Sequence, residues 1–212
     1  MMNKTLVIVL HGLYMKRMVM TPLCMRIKKA GFDVHNYEYK SLKVDVKKIA
    51  IDLAKVSSNY ESVILVGHSL GGIVSKEVFG TGVMNNIRSI ITIGTPHKGS
   101  EVARVVDRVG MSMILGKAAS VGLVRNATVA WEGDVSIHCI AGYKDIGVVR
   151  LIPRVFRSSS LMFSDGTVSV DEAIIANATS KKIFNHSHTS LIYSKKVSDY
   201  IITVINDVLK ES

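Results

Sequence analysis

The chain has 212 residues, 48% of them hydrophobic, and a formal net charge of +10. This length accommodates one domain with a sizeable core, and the apolar fraction excludes an intrinsically disordered chain. Its lysines and arginines are scattered and form no dense run, which argues against a nucleic-acid partner and leaves either an ordinary solvated surface or one that attracts anionic membranes or acidic substrates.

Short apolar runs alternate with segments of helical spacing along the chain. The predicted strands lie at 5–10, 32–39, 63–66, 87–93, 135–142 and 181–184. The predicted helices lie at 18–30, 44–56, 72–79 and 194–210. This alternation predicts an α/β fold with a parallel sheet flanked by helices, and in such sheets the functional site lies beyond the carboxyl ends of the strands.

The first apolar run, Leu6-Val7-Ile8-Val9-Leu10, follows Lys4 directly. It is too short for the core of a signal peptide, and no run in the sequence approaches the about 18 apolar residues that cross a bilayer. We therefore interpret it as a strand and expect a cytoplasmic protein. Of the cysteines, Cys24 and Cys139, we expect both to be small buried hydrophobic residues.

The third predicted strand leads into Gly67-His68-Ser69-Leu70-Gly71, which matches the G-x-S-x-G nucleophile elbow. A serine in such a turn has strained backbone and presents its hydroxyl above the sheet edge. A Cβ at position 67 or 71 would collide with the neighbouring strand or helix, so glycine is needed there. The N–H of Leu70, at the start of a helix, is available to bind an anion. The alternative is that Ser69 is an ordinary turn residue.

A serine nucleophile needs a general base, and the base needs an acid that fixes its tautomer. In this type of fold the chain order is serine, acid, histidine, which leaves His186 and His188 among the seven histidines. The preferred acid is Asp165, because the glycine after it forces a turn that can present the side chain from a loop. Asp145 and Asp171 remain alternatives, and the Asp-Gly pair also fits a plain turn.

Several segments, in order along most of the chain, together resemble the α/β-hydrolases and, within that superfamily, the small bacterial serine lipases and esterases. They are His11-Gly12-Leu13 of an oxyanion loop, the elbow itself, Gly94-Thr95-Pro96-His97-Lys98-Gly99-Ser100 of a GTPH-x-GS loop, Asp165-Gly166-Thr167-Val168 of an acid segment, and His188-Thr189-Ser190-Leu191 of an H-x-x-L base segment. The resemblance implies one α/β-hydrolase domain over 1–212, with a mainly parallel central sheet and helices on both faces.

The resemblance also implies a role for individual residues. Ser69 would be the nucleophile, Asp165 the acid and His188 the base, with His186 as the alternative base. The backbone N–H groups of Leu13 and Leu70 would form the oxyanion hole. We further expect Tyr14, His68 and Met113 to contact the substrate.

The stretch at 101–130 is long and apolar, and departs from the smallest members of the family. If it is helical, Val102, Val106, Val109 and Met113 share one face. One interpretation is a lid or a wall of the acyl pocket, since methionine adapts to varied apolar ligands. The other is an ordinary core helix packed on the sheet.

The resemblance implies hydrolysis of a carboxylic ester, of a small molecule or a lipid, through an acyl-enzyme that water releases, without a metal or cofactor. The same triad serves thioesterases and acyltransferases, so the fold and triad do not name the substrate. A non-catalytic module that binds a lipid or a partner is a further alternative, against which the complete Ser, Asp, His set argues.

Overall fold

The structure is a computed structural model that describes residues 4–100, 130–146 and 163–211. The strands in these ranges are β1 (Thr5–Leu10), β2 (Asp33–Tyr37), β3 (Ser62–His68), β4 (Ile87–Ile93), β5 (Ser136–Gly142) and β6 (Ser180–Phe184). They form one sheet in the order β2-β1-β3-β4-β5-β6, and every neighbouring pair is parallel. The carboxyl ends of the strands therefore lie along one edge of the sheet.

The helices in the same ranges connect the strands. They are a 3₁₀ helix (Arg17–Met20), α1 (Thr21–Lys29), α2 (Val46–Val56), α3 (Leu70–Gly80), α4 (Val170–Ala173), α5 (Ser190–Tyr193) and α6 (Lys195–Lys210). The side chain of Asp45 caps α2 by accepting a hydrogen bond from the N–H of Lys48, and Ser194 caps α6 in the same way. Local sequence thus sets where these helices begin.

Both faces of the sheet are buried. Along β1, Leu6, Ile8 and Leu10 belong to a core with α2 and α3, and Val7 and Val9 belong to a second core with α1 and α6. This division follows from the alternation of side chains along a strand. A strand covered on both faces is largely apolar, and β3, whose seven residues are all buried, has Val63-Ile64-Leu65-Val66 at its centre. The predicted fold class, a parallel sheet with helices on both faces, is confirmed.

The differences from the predicted elements are small. β2 is shorter than predicted, the segment at 17–20 is a 3₁₀ helix, and the short helices α4 and α5 were not predicted. Of the segment at 101–130, interpreted either as a lid or pocket wall or as a core helix, all but Ala130 lies outside the described residues, and so does Met113. Among the described residues, no helix is long and apolar enough to cross a membrane.

Candidate active site

Ser69 lies in the turn between β3 and α3 with strained backbone. Its φ of 53° and ψ of −122° fall in a region that residues with a side chain rarely adopt. The surrounding structure fixes this conformation, because the Ser69 N–H donates to the carbonyl of Ile93 on β4 at 2.8 Å. The side chain is partly exposed, whereas all of β3 before it is buried.

Two glycines allow the elbow to form, as the sequence predicts. A Cβ on Gly67 would lie 2.4 Å from the backbone of Gly71 and Gly72, inside α3. A Cβ on Gly71 would lie 2.3 Å from the carbonyl oxygen of Leu10, at the end of β1. Such distances are shorter than real contacts, and both partners are backbone atoms that cannot turn away. The predicted collision with a strand or helix is therefore confirmed.

Asp165 and His188 form a buried pair. The Nδ1 atom of His188 lies 2.7 Å from Oδ2 of Asp165, and the N–H of His188 donates to the carbonyl of Asp165 at 2.9 Å. Only 1% of the Asp165 surface and 8% of the His188 surface is exposed. Because a carboxylate only accepts hydrogen bonds, Nδ1 carries a proton, and the tautomer that this contact favours has its lone pair on Nε2.

The turn after Asp165 orients the carboxylate. Its other oxygen, Oδ1, accepts hydrogen bonds from the N–H groups of Thr167 at 3.0 Å and Val168 at 2.8 Å. Gly166, which lies between Asp165 and Thr167, has a φ of +92°, a backbone conformation that favours glycine. The capping box of α4, in which Ser169 and Glu172 bond each other's backbone, follows immediately. Both carboxylate oxygens of Asp165 thus accept hydrogen bonds from the protein itself.

Gly94, at the end of β4, lies directly against this pair. A Cβ there would be 3.1 Å from Oδ2 of Asp165 and 3.1 Å from Nδ1 of His188. Its φ is +55°, and its N–H donates to the carbonyl of Ile140 on β5 at 2.8 Å. This role of Gly94 was not predicted from the sequence, where a glycine immediately after a strand is its signal.

The other candidates for the base and the acid do not take part in the pair of Asp165 and His188. The Nε2 atom of His186 lies 2.9 Å from the hydroxyl of Ser194, the residue that caps α6. Asp171 is 72% exposed at its side chain and forms an ion pair with Lys98 at 2.7 Å. Oδ1 of Asp145 is buried and has no hydrogen-bond partner among the described residues. Of the predicted residues, the structure pairs only Asp165 with a predicted base, His188.

The loop after β1 lies beside Ser69. A Cβ on Gly12 would be 3.2 Å from Cβ of Ser69, so the glycine lets the loop approach the serine. His11 anchors the loop, because its ring stacks on Tyr39 at 4.4 Å and its carbonyl accepts the Tyr39 hydroxyl at 2.6 Å. Leu13 follows directly, and Leu70 begins α3, where the first N–H groups have no partner within the helix.

Two predicted substrate contacts occupy different surroundings. Tyr14 is 56% exposed and has a φ of 58°, and its N–H donates to the hydroxyl of Ser41 at 3.1 Å. His68 has no exposed surface, and its ring centre lies 4.6 Å from that of His188. Burial, with the nearby imidazole of His188, lowers the pKa of His68 well below its ordinary value. Substrate binding by His68 stays a prediction, against which its complete burial argues.

The sequence matches the model of the PGAP1-like alpha/beta domain family over residues 35–150, more than half of the 212 residues. No curated protein matches the sequence. The matched segment contains Ser69, and β1, Asp165 and His188 lie outside it.

Several solved structures are similar to this chain in fold. The mature form of the Bacillus licheniformis lipase BlEst2 matches with a TM-score of 0.69 and 20% identity, over 97% of this chain and 93% of that one. The pyrethroid hydrolase PytH matches with a TM-score of 0.63 and 12% identity, over 96% and 98%. Tomato methylketone synthase I matches with a TM-score of 0.60 and 10% identity, over 98% of both chains. These likenesses confirm the α/β-hydrolase fold, and at such identities they carry nothing finer.

Proposed function

The chain belongs to the PGAP1-like alpha/beta domain family, and from that premise we propose that it is a serine hydrolase that cleaves carboxylic esters. The observation that carries the proposal is the buried 2.7 Å contact between Nδ1 of His188 and Oδ2 of Asp165. This pair lies against Gly94, the residue that follows Ile93, whose carbonyl accepts the N–H of Ser69. We assign Ser69 as the nucleophile, His188 as the base and Asp165 as the acid. Lipase and hydrolase names among the structural neighbours support the class of enzyme, a hydrolase, and carry nothing about these three residues.

The reaction begins when Ser69 loses its proton. Because Asp165 holds the proton of His188 on Nδ1, Nε2 takes the proton from the Ser69 hydroxyl as its oxygen attacks the ester carbonyl. The carbonyl oxygen becomes negatively charged and accepts hydrogen bonds from the N–H groups of Leu13 and Leu70. His188 then gives its proton to the leaving alcohol, and the acyl group stays on Ser69.

Water completes the cycle by the same steps. His188 takes a proton from a water molecule, whose oxygen attacks the acyl-enzyme carbonyl. The tetrahedral intermediate collapses, His188 returns the proton to the Ser69 oxygen, and the carboxylic acid leaves. None of these steps uses a metal or a cofactor. The exposed ring of Tyr14, next to the oxyanion loop, is the described side chain that we propose to contact the ester of a small molecule or lipid.

The proposal is tested by labelling the protein with a fluorophosphonate probe and by measuring hydrolysis of p-nitrophenyl esters of increasing chain length. Ser69→Ala should abolish labelling and lower kcat by about a million-fold, as in comparable triads. The matched control is Ser58→Ala, which removes an exposed hydroxyl that donates to the carbonyl of Lys55, before β3 begins. A folded Ser69→Ala protein that still hydrolyses esters at the wild-type rate would remove Ser69 from the mechanism.

The same measurements separate the alternative activities. An acyl-thioester assayed beside the esters distinguishes a thioesterase, and an added alcohol that captures the acyl group distinguishes an acyltransferase. Both alternatives use the same acyl-enzyme, so they keep the fluorophosphonate labelling. A protein that binds lipid or a partner without catalysis would show no labelling of Ser69 and no turnover with either class of substrate.

A further inference from the structure

We propose that His68 is a positioning residue, whose imidazole holds the main chain of His188 and so fixes the base relative to Ser69. The inference rests on the proposed function, since it concerns the base of that reaction. It differs from the substrate contact predicted from the sequence: His68 would act from the protein interior and never touch the ester.

The contact with His188 determines the protonation of His68. Its Nε2 atom lies 3.1 Å from the main-chain carbonyl oxygen of His188. A carbonyl oxygen only accepts, so Nε2 must carry the proton. The other nitrogen, Nδ1, is buried and has no hydrogen-bond partner in the part of the chain that the structure describes. A bare Nδ1 fits the neutral ring, and the lowered pKa of His68 agrees with it.

His188 is thereby held at three points. Asp165 holds two of them, the ring at Nδ1 and the main-chain N–H. His68 holds the third, the main-chain carbonyl. Without His68, the main-chain carbonyl of His188, a residue that is only 8% exposed, would lose this hydrogen bond. Buried polar groups are normally hydrogen-bonded, so the loss would be unfavourable.

The third point links the base to the nucleophile. His68 is the last residue of β3, and Ser69 follows it directly. The hydrogen bond spans 120 positions of the sequence and joins the elbow to the loop that carries His188. Any shift of that loop away from the elbow must break this bond. His68 therefore sets the distance between base and nucleophile, whereas Asp165 sets the orientation of the ring.

His68 also supports the oxyanion loop. A Cβ on Gly12 would lie 3.2 Å from Nδ1 of His68 and 3.2 Å from Cβ of Ser69. The imidazole thus fills the space between His188 and the loop that supplies the N–H of Leu13. Its neutral state matters here, because a charged ring in this position would oppose the imidazolium that forms on His188 during the reaction.

Variants of His68 separate the hydrogen bond from the bulk of the ring. His68→Gln places an amide nitrogen near the position of Nε2 and keeps the donor. His68→Asn is chemically the same but one bond too short to reach, and His68→Phe keeps the ring without a donor. A displacement of about 1 Å in an active site can cost roughly 100-fold in rate. We expect Asn and Phe to lower kcat by about 10- to 100-fold with KM unchanged, and Gln to stay within about threefold of wild type.

The matched control is His138→Phe, which removes another buried imidazole whose hydrogen bond, 2.7 Å from Nδ1 to the hydroxyl of Ser180, joins β5 to β6. It should keep the wild-type kcat. Equal kcat in wild type, Asn and Phe variants would overturn the proposal, and so would a Gln variant as slow as Asn. If the Phe variant does not fold, the Gln and Asn pair decides. Loss of activity in Ser69→Ala with unchanged activity in all His68 variants refutes the positioning role alone.

Discussion

At the residue scale, the carboxylate of Asp165 is the most constrained group of the candidate site. Oδ1 accepts two backbone N–H groups and Oδ2 accepts the imidazole of His188. In Asp165→Asn, an amide NH₂ at the Oδ2 position would donate to Nδ1 and force the proton onto Nε2, where the lone pair is needed. We expect kcat to fall by roughly 10,000-fold, as the wrong tautomer does in related triads.

The matched control for that prediction is Asp171→Asn, which removes the same charge from an exposed carboxylate paired with Lys98. Exposed ion pairs contribute little, so kcat and Tm should both stay near wild type. Steady-state kinetics and thermal unfolding of the two variants give the comparison. A larger loss of kcat in the Asp171 variant than in the Asp165 variant would move the acid to Asp171.

The two late histidines give a second test at this scale. His188→Ala should lower kcat by about a million-fold, because the serine loses its base. His186→Ala should stay within about tenfold of wild type, because His186 contacts the capping hydroxyl of Ser194 and loses only a bond of about 1 kcal/mol. The measurement is kcat for hydrolysis of one p-nitrophenyl ester by each variant. A larger loss of kcat in His186→Ala than in His188→Ala would assign the base to His186.

Sequence reasoning reaches some of these residues and misses others for a physical reason. The chain order of the triad reduces the histidines to His186 and His188, and the leucine that follows three residues later favours His188. By contrast, the contact from His68 to His188 joins positions 120 residues apart, and no local pattern encodes it. The place of Gly94 against the acid and base depends in the same way on three separate segments.

At the scale of elements, the strands were the most predictable part of the fold. β1 and β4 have the predicted bounds, because both are rich in buried aliphatic residues, as strands covered on both faces are. α4 and α5 have four residues each, which is too short for a helical period to be visible. In the sequence, Ser169 followed three residues later by Glu172 is the signature of a capping box and marks the start of α4.

Two glycines of α3 provide a test of how closely this helix packs. In Gly71→Ala, the new Cβ would meet the carbonyl of Leu10 at 2.3 Å, and both are parts of rigid elements. We expect destabilisation of about 3 kcal/mol or more, since overpacking against backbone cannot relax by rotation of a side chain. Urea unfolding measures this, together with the yield of soluble protein.

The control is Gly80→Ala, at the other end of α3, where a Cβ would have no atom within 4 Å. Alanine restricts the unfolded chain more than glycine does, so this variant should be neutral or more stable by up to about 1 kcal/mol. If Gly71→Ala unfolds at the same urea concentration as Gly80→Ala, then α3 does not lie against β1 as described.

At the scale of the whole molecule, the candidate site is assembled from distant parts of the chain. The family match over 35–150 includes Ser69, whereas β1 and the loop after it precede that segment and Asp165 and His188 follow it. Parallel strands bring these parts together, since their carboxyl ends meet at one edge of the sheet. The meeting of these segments at one edge could be predicted from the sequence because it depends on strand direction, whereas the order of the strands and the individual side-chain contacts were not predicted.

The stability of the whole molecule should depend on pH through its buried histidines. His68 and His97 have no exposed surface, and burial lowers the pKa of each well below the ordinary 6.5, with further contributions from His188 and from Lys76 respectively. Above pH 6.5 the histidines are neutral in both folded and unfolded chains, so they do not affect stability. Below it the unfolded chain binds protons that the folded chain excludes, and the free energy of unfolding falls.

Each of these histidines should contribute a slope that approaches about 1.4 kcal/mol per pH unit as pH falls below 6.5. The measurement is urea unfolding at pH 7.5, 6.5 and 5.5, for wild type and for His97→Gln. Glutamine does not titrate, so the variant should lose less stability than wild type between pH 6.5 and 5.5, whatever its stability at pH 7.5. Carboxylates that protonate in this range contribute equally to both proteins and cancel in the difference. Parallel curves for the two proteins would mean that the folded chain binds a proton at His97 as readily as the unfolded chain does.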